Sequence, residues 1–205
     1  MLIIVTSEND AELAPDPKAL RALAHPLRWR LIDLLGSETS ATATRCAEVL
    51  GESVASCSYH LGILAKYGYI ELVPDWPGRE KPWRLTSFEQ NLFPAGPDAE
   101  VALAAQAATE VFLDHELSRM KYRLRRRSLE PADWRAASRM LGVSTWMTSA
   151  ELHEISDGLI ELLDRYYERA LDPASRPAGA REVRLFAATS VAPSVTPPRR
   201  SSPSP

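Results

Sequence analysis

The sequence predicts a mainly helical α+β chain, a winged helix-turn-helix followed by a helical region, and three observations predict it. Two helical patterns meet at a tight glycine-containing turn around Gly51. A β-prone hairpin with a charged tip follows directly, and apolar residues then recur at three- and four-residue steps through the second half. With 205 residues, 45% hydrophobic and 25% charged, the chain has the composition of a globular protein of one domain or two small ones.

Asp16 and Pro17 open a first helix as N-cap and first helical residue, with Ala19, Leu20, Leu23 and Ala24 on its apolar side. His25 precedes a proline and breaks it. Pro26 starts a second helix, in which Leu27, Leu31, Leu34 and Leu35 face inward, Arg28 and Arg30 lie on the other side, and Gly36 is read as the cap. After a polar loop from Ser37 to Ala43, Thr44 is read as the cap of a short helix, Arg45 to Leu50. Ser53 caps the next, Val54 to Tyr67.

Tyr69 to Val73 and Trp83 to Leu85 then read as strands around the turn-rich Asp75 to Pro82. Pro94, Gly96 and Pro97 mark a linker. The expected division is an arm at 1–15, a winged helix-turn-helix at 16–93, a helical dimerisation and effector region at 98–192, and a disordered tail at 193–205.

In the second half, Asp98 to about Ser128 reads as one helix with a seam of Val101, Ala105, Ala108, Phe112 and His115. Its last turns, Arg119 to Arg127, are strongly basic. The capping box Thr148-Ser149-Ala150-Glu151 begins another helix, carrying Leu152, Ile155, Leu159, Leu162 and Tyr166. Alternation at Leu141, Val143, Thr145 and Met147, and at Val183, Leu185 and Ala187, suggests two short strands without fixing their pairing.

On a helical wheel, Val54 to Tyr67 puts Val54, Cys57, Leu61 and Leu64 on a core face. The opposite face holds Ala55, Ser56, Tyr59, Gly62 and Lys66, with Ser58 and His60 at its margins. Short and hydrogen-bonding side chains of this kind suit a major groove, which admits a helix about 12 Å across. Ser56 and Tyr59 are the candidates for reading bases, while Ser53 and Lys66 are candidates for phosphate. Arg79, Lys81 and Arg84 would place cations where a wing grazes the backbone.

Charge gives little help to this reading. The net charge is -3, and Pro15 to Gln90 holds nine Lys or Arg against nine Asp or Glu. Binding to phosphates must therefore come from placement rather than from an excess of cations.

Two segments carry a resemblance, Leu23-Ala-His-Pro-Leu-Arg-Trp-Arg-Leu-Ile-Asp-Leu-Leu35 and Ser53-Val-Ala-Ser-Cys-Ser-Tyr-His-Leu-Gly-Ile-Leu-Ala-Lys-Tyr-Gly-Tyr-Ile70. They resemble the ArsR-type winged-helix regulators over about residues 16 to 86. In that family an alanine-histidine-proline-x-arginine segment opens the second helix, and a serine-x-x-x-x-serine-x-histidine-leucine pattern marks the recognition helix. The resemblance implies a homodimeric repressor on a palindromic operator, with reading helices about 34 Å apart and the later seams supplying dimer contacts. Metal-sensing members carry a cysteine-x-cysteine before the recognition helix, where this chain offers only Cys46; Asp114, His115 and His153 do not complete an interface metal set. No metal or cofactor is expected.

Cys46 and Cys57 read as small buried residues rather than sensors. Trp134, Trp146, Tyr166 and Tyr167 are candidates for an effector pocket, against the commoner reading of aromatic core. An enzyme built on a winged helix would need a glycine-rich strand-to-helix turn, which residues 98–205 lack, so no enzymatic activity is expected. The only early apolar run, Leu2 to Val5, is too short for a signal or a membrane span, and a cytoplasmic chain is expected. A neutral winged helix acting through protein contacts alone remains the alternative to DNA binding.

Overall fold

The computed structural model describes residues 16–87, 92 and 98–192. The arm at 1–15, the linker with Pro94, Gly96 and Pro97, and the tail at 193–205 lie outside the described residues. Helix α1 (Pro17–Leu23) starts where the Asp16 carboxylate accepts the Lys18 backbone N–H at 2.8 Å. Helix α2 (Pro26–Glu38) has an unusual cap: the His25 ring accepts the Leu27 N–H through Nδ1 at 3.2 Å.

Gly36 does not end α2. The helix continues to Glu38 and closes at Thr39, which has a positive φ of 67°. A glycine within a helix costs only about 1 kcal/mol, and two contacts support the extra turn. The Ser37 hydroxyl donates to the Leu34 carbonyl at 3.0 Å, and the Glu38 carboxylate accepts from Arg45 at 2.8 Å.

The cap of α3 (Ala43–Leu50) is Thr42 rather than Thr44; its hydroxyl oxygen accepts the Arg45 N–H at 3.1 Å. Gly51, with φ 68°, turns the chain into α4 (Val54–Lys66), capped by the Ser53 hydroxyl on the Ser56 N–H at 3.1 Å. Strands β1 (Ile70–Leu72) and β2 (Trp83–Leu85) pair antiparallel, with Ile70 opposite Leu85 and Leu72 opposite Trp83. Ala41 adds a bridge to Trp83 and ties the loop before α3 to the hairpin.

Helix α5 (Ala99–Arg126) is capped by Asp98; α6 (Ala132–Ala137), α7 (Ser149–Asp164) and α8 (Glu168–Leu171) follow. The capping box of Thr148 and Glu151 forms as expected, each side chain reaching the other's backbone N–H. The two strands expected near residues 141–147 and 183–187 do not form, because neither stretch finds a ladder partner. In the second the inward parity is also one residue off. Arg184 and Phe186 turn toward the protein while Val183 and Leu185 face solvent.

The core lies where α2, α3, α4 and the hairpin converge, around Trp29, Leu31, Ile32, Leu35, Cys46, Cys57, Leu61, Leu64 and Ile70. The seam of α5 closes it from within the same chain. The Phe112 ring sits 4.9 Å from Trp29, and Val101, Ala104 and Ala105 pack on Leu20 of α1. Two polar anchors fasten α5 further along. Asp33 of α2 accepts from His115 at 2.5 Å and from Arg119. Burial alone would raise the Asp33 pKa, but these partners hold it below the usual carboxylate range. Glu116, 2% exposed, is held by a two-pronged pair with Arg184.

Phe112 is thus a core residue of the helix-turn-helix. Phe112→Ala should cost about 3–5 kcal/mol in urea unfolding. Leu103→Ala, on the exposed side of the same helix, should stay within about 0.5 kcal/mol.

Candidate nucleic-acid interface

Helix α4 is held from two sides by the arginines that flank buried Trp29. Arg30 donates to the Glu52 carboxylate at 2.7 Å and to the Leu50 carbonyl, gripping the α3–α4 turn. Arg28 donates to the Ala22 carbonyl at 2.7 Å and to Nδ1 of His60 in α4 at 3.3 Å. Cys57, Leu61 and Leu64 anchor the inner face. The direction of α4 is therefore set by both apolar packing and charge-assisted hydrogen bonds.

What remains outside is close to the expected face. Ser53, Ala55, Ser58, Gly62 and Lys66 are exposed, Ser56 is half-buried, and Tyr59 stands 63% exposed. Two residues depart from expectation. Val54 is exposed rather than inward, because the first turn of α4 overhangs the edge of the core. His60 is only 8% exposed and leaves the exposed face, its ring engaged by Arg28.

Gly62 has ordinary helical φ, and a Cβ built there would meet nothing within 4 Å. The fold therefore does not require glycine at this position, although glycine weakens the helix. A smooth, side-chain-free spot in the middle of an exposed helical face permits close approach by another surface.

Behind Tyr59 lies a cluster that no local sequence pattern joins. His25 and His60 stack with ring centroids 4.3 Å apart, and Tyr59 meets His60 edge-on at 5.2 Å. Each imidazole uses Nδ1 as an acceptor, which requires the neutral ring. Both pKa values are lowered. For His60 burial is the largest cause, followed by the charges of His25 and Arg28; for His25, burial and then Arg28.

The wing carries a second unexpected contact. Glu80 folds back on the start of α3, accepting from the Thr44 N–H and hydroxyl at 3.1 Å each, and the backbone bond is the main reason its carboxyl titrates low. Its charge thus serves to tether the hairpin and to satisfy a helix N-terminus. Arg79 and Lys81 stay exposed at the tip. Arg84 is exposed as well, but it is paired across the strands with Glu71 at 2.6 Å and is not a free cation.

Cys46 and Cys57 are fully buried, with burial pushing the Cys46 thiol up to about 12 and the Cys57 thiol upward. Among the described residues no group of His, Cys, Asp and Glu could hold a metal ion, and no helix is long and apolar enough to cross a membrane. Trp146 stands 96% exposed, which removes it from any aromatic pocket within one chain.

Residues 23–73 match a helix-turn-helix domain family. That span runs from the end of α1 through α2, α3, α4 and β1. Curated proteins give no match. Among solved structures, a ZitR variant of Lactococcus lactis in apo form is 19% identical at a TM-score of 0.33, over 70% of this chain and 83% of that one. Wild-type ZitR in complex with DNA is 18% identical at 0.27, over 81% and 84%. The adhesin competence repressor of Streptococcus pyogenes is 19% identical at 0.29, over 72% and 81%.

The histidine cluster makes stability depend on pH in a definite direction. The folded pKa values lie below the ordinary 6.5, so above that value both states are neutral and stability is full. As pH falls through 6.5 and then through the folded values, the unfolded chain takes up protons that the folded chain refuses. The melting temperature should drop between about pH 7.5 and 5.5, and the drop should be smaller in a His25→Asn/His60→Gln variant.

Gly62 yields a second expectation. Gly62→Ala should raise stability by up to about 1 kcal/mol in urea unfolding, whereas Gly62→Leu should weaken duplex DNA binding without destabilising the fold.

Proposed function

We propose that this chain is a cytoplasmic, non-enzymatic transcription regulator that binds double-stranded operator DNA through residues 16–93, with α4 lying in the major groove. The observation that carries the reading is the outer face of α4. It is aimed by Arg28 and Arg30, exposed at Ala55, Ser58, Tyr59, Gly62 and Lys66, and smooth at Gly62. It also lies within the matched helix-turn-helix domain.

On this reading Ser56 and Tyr59 read base edges, with Ala55 and Ser58 beside them. Ser53 and Lys66 hold phosphates, and Arg79 and Lys81 reach the backbone from the wing. Arg84 contributes only if it exchanges Glu71 for a phosphate. His60 supports Tyr59 from behind instead of touching DNA.

So few exposed cations give a single head weak affinity. We therefore read the protein as a homodimeric repressor on a palindromic site, with residues 98–192 supplying dimerisation and the response to a small-molecule effector. The neutral charge of the head is the one observation that favours contact with protein alone.

Titration of the full chain against its own upstream intergenic duplex and a random duplex separates the two. Specific binding should be tight and should fall steeply with salt. Replacing Lys81 with Ala should lower the salt slope by about 0.9 for each phosphate it no longer neutralises, for all sequences alike. Replacing Tyr59 with Ala should instead cost about 1–3 kcal/mol of discrimination. Equal, salt-insensitive affinity for both duplexes would favour the protein-only reading.

A further inference from the structure

The exposed side of α5 carries a second apolar seam beside the one buried in the core. Leu113, Leu117, Met120 and Leu124 follow one another by four, three and four residues, the spacing of a coiled-coil a/d stripe. Leu113, Leu117 and Leu124 are exposed in the chain, Leu117 to 44%, and Met120 is half-buried. Helix α7 carries a matching stripe, Leu152, Ile155, Leu159 and Leu162, and buries none of its residues. The two helices share no extensive contact. An isolated helix of 16 residues is marginal in water, so α7 needs a cover.

Charge decides what that cover is. Leu117 to Leu129 holds six cations and no acid, while Ser149 to Asp164 holds five acids and no Lys or Arg. Pairing the α5 seam with its own copy sets cation against cation in parallel, and in antiparallel offers the six cations only Glu110, Asp114 and the already paired Glu116. Pairing it with α7 sets opposite charges together. Residues 138–148, in neither helix nor strand, link α6 to α7. Leu141, Val143 and Trp146 project from that stretch into solvent.

We infer that α7 of each copy docks on the exposed seam of α5 of a second copy, so that two reciprocal contacts close a two-fold dimer. This rests on the dimeric regulator proposed above and specifies its interface. The exchange is isologous, and neither copy is left with an open seam.

Sedimentation of the full chain at micromolar concentration tests it. The wild type should be a dimer, and L117E/L124E and I155E/L162E should each be a monomer alone. Mixing the two variants should restore a heterodimer, since one copy still offers α7 and the other still offers the α5 seam. The milder K121E/R125E variant should weaken the dimer at least about tenfold. All of these positions lie outside the helix-turn-helix core, so each variant should keep the head's binding to a half-site duplex. A mixture that stays monomeric, or a wild-type monomer that still binds its operator, overturns the exchange. A dimer unmoved by I155E/L162E also overturns it, while leaving the dimeric regulator in place.

Discussion

The structure depends on how three consecutive residues of α2 divide their work. Trp29 goes wholly inward onto Phe112, which brings α5 into the core. Arg28 and Arg30 leave on either side and hold α4, one at His60 and the other at the turn before Ser53. A helix anchored only by Cys57, Leu61 and Leu64 could rotate about its own axis at little cost in buried area, since apolar contact is non-directional. The two guanidiniums remove that freedom, because their hydrogen bonds have fixed geometry. The face presented to a groove is therefore specified by residues that never touch it.

The same economy explains how a neutral head can serve a polyanionic partner. Most of its charges already have an assignment within the fold. Glu52 holds Arg30, Glu38 holds Arg45, Glu71 holds Arg84 and Glu80 holds Thr44 at the start of α3. With those set aside, Lys66, Arg79 and Lys81 stand out on the recognition helix and the wing. Three well-placed cations position a duplex without dominating the affinity, which leaves sequence readout to Tyr59 and its neighbours and makes two-fold symmetry important.

The helix-turn-helix was legible in the sequence because its signals are local: Asp16, Ser53 and Gly51 each act within a few residues of themselves. The core and exposed faces of α4 followed from periodicity alone, apart from Val54 and His60. What escaped depends on contacts far apart in the chain. Glu80 reaches Thr44 across 36 residues, and no local pattern announces that. His60 falls at the margin of the outer face by periodicity, and its burial depends on Arg28 of another helix. In α5 the first heptad seam has the spacing of a partner contact, yet Trp29 and Leu20 of the same chain cover it. The second seam lies one residue over and is interleaved with cations. The strand-like alternations near Val143 and Leu185 show the limit of period-two patterns: without a neighbouring strand they remain extended chain.

The central claim is that the outer face of α4 is the surface that meets DNA, and amide hydrogen exchange with and without a duplex selected by the full chain tests it directly. Added protection should concentrate at residues 53–66 and at the wing tip near Arg79 and Lys81, with α1 and the first half of α5 unchanged. Protection confined to the basic end of α5, with α4 exchanging as in the free protein, would contradict it.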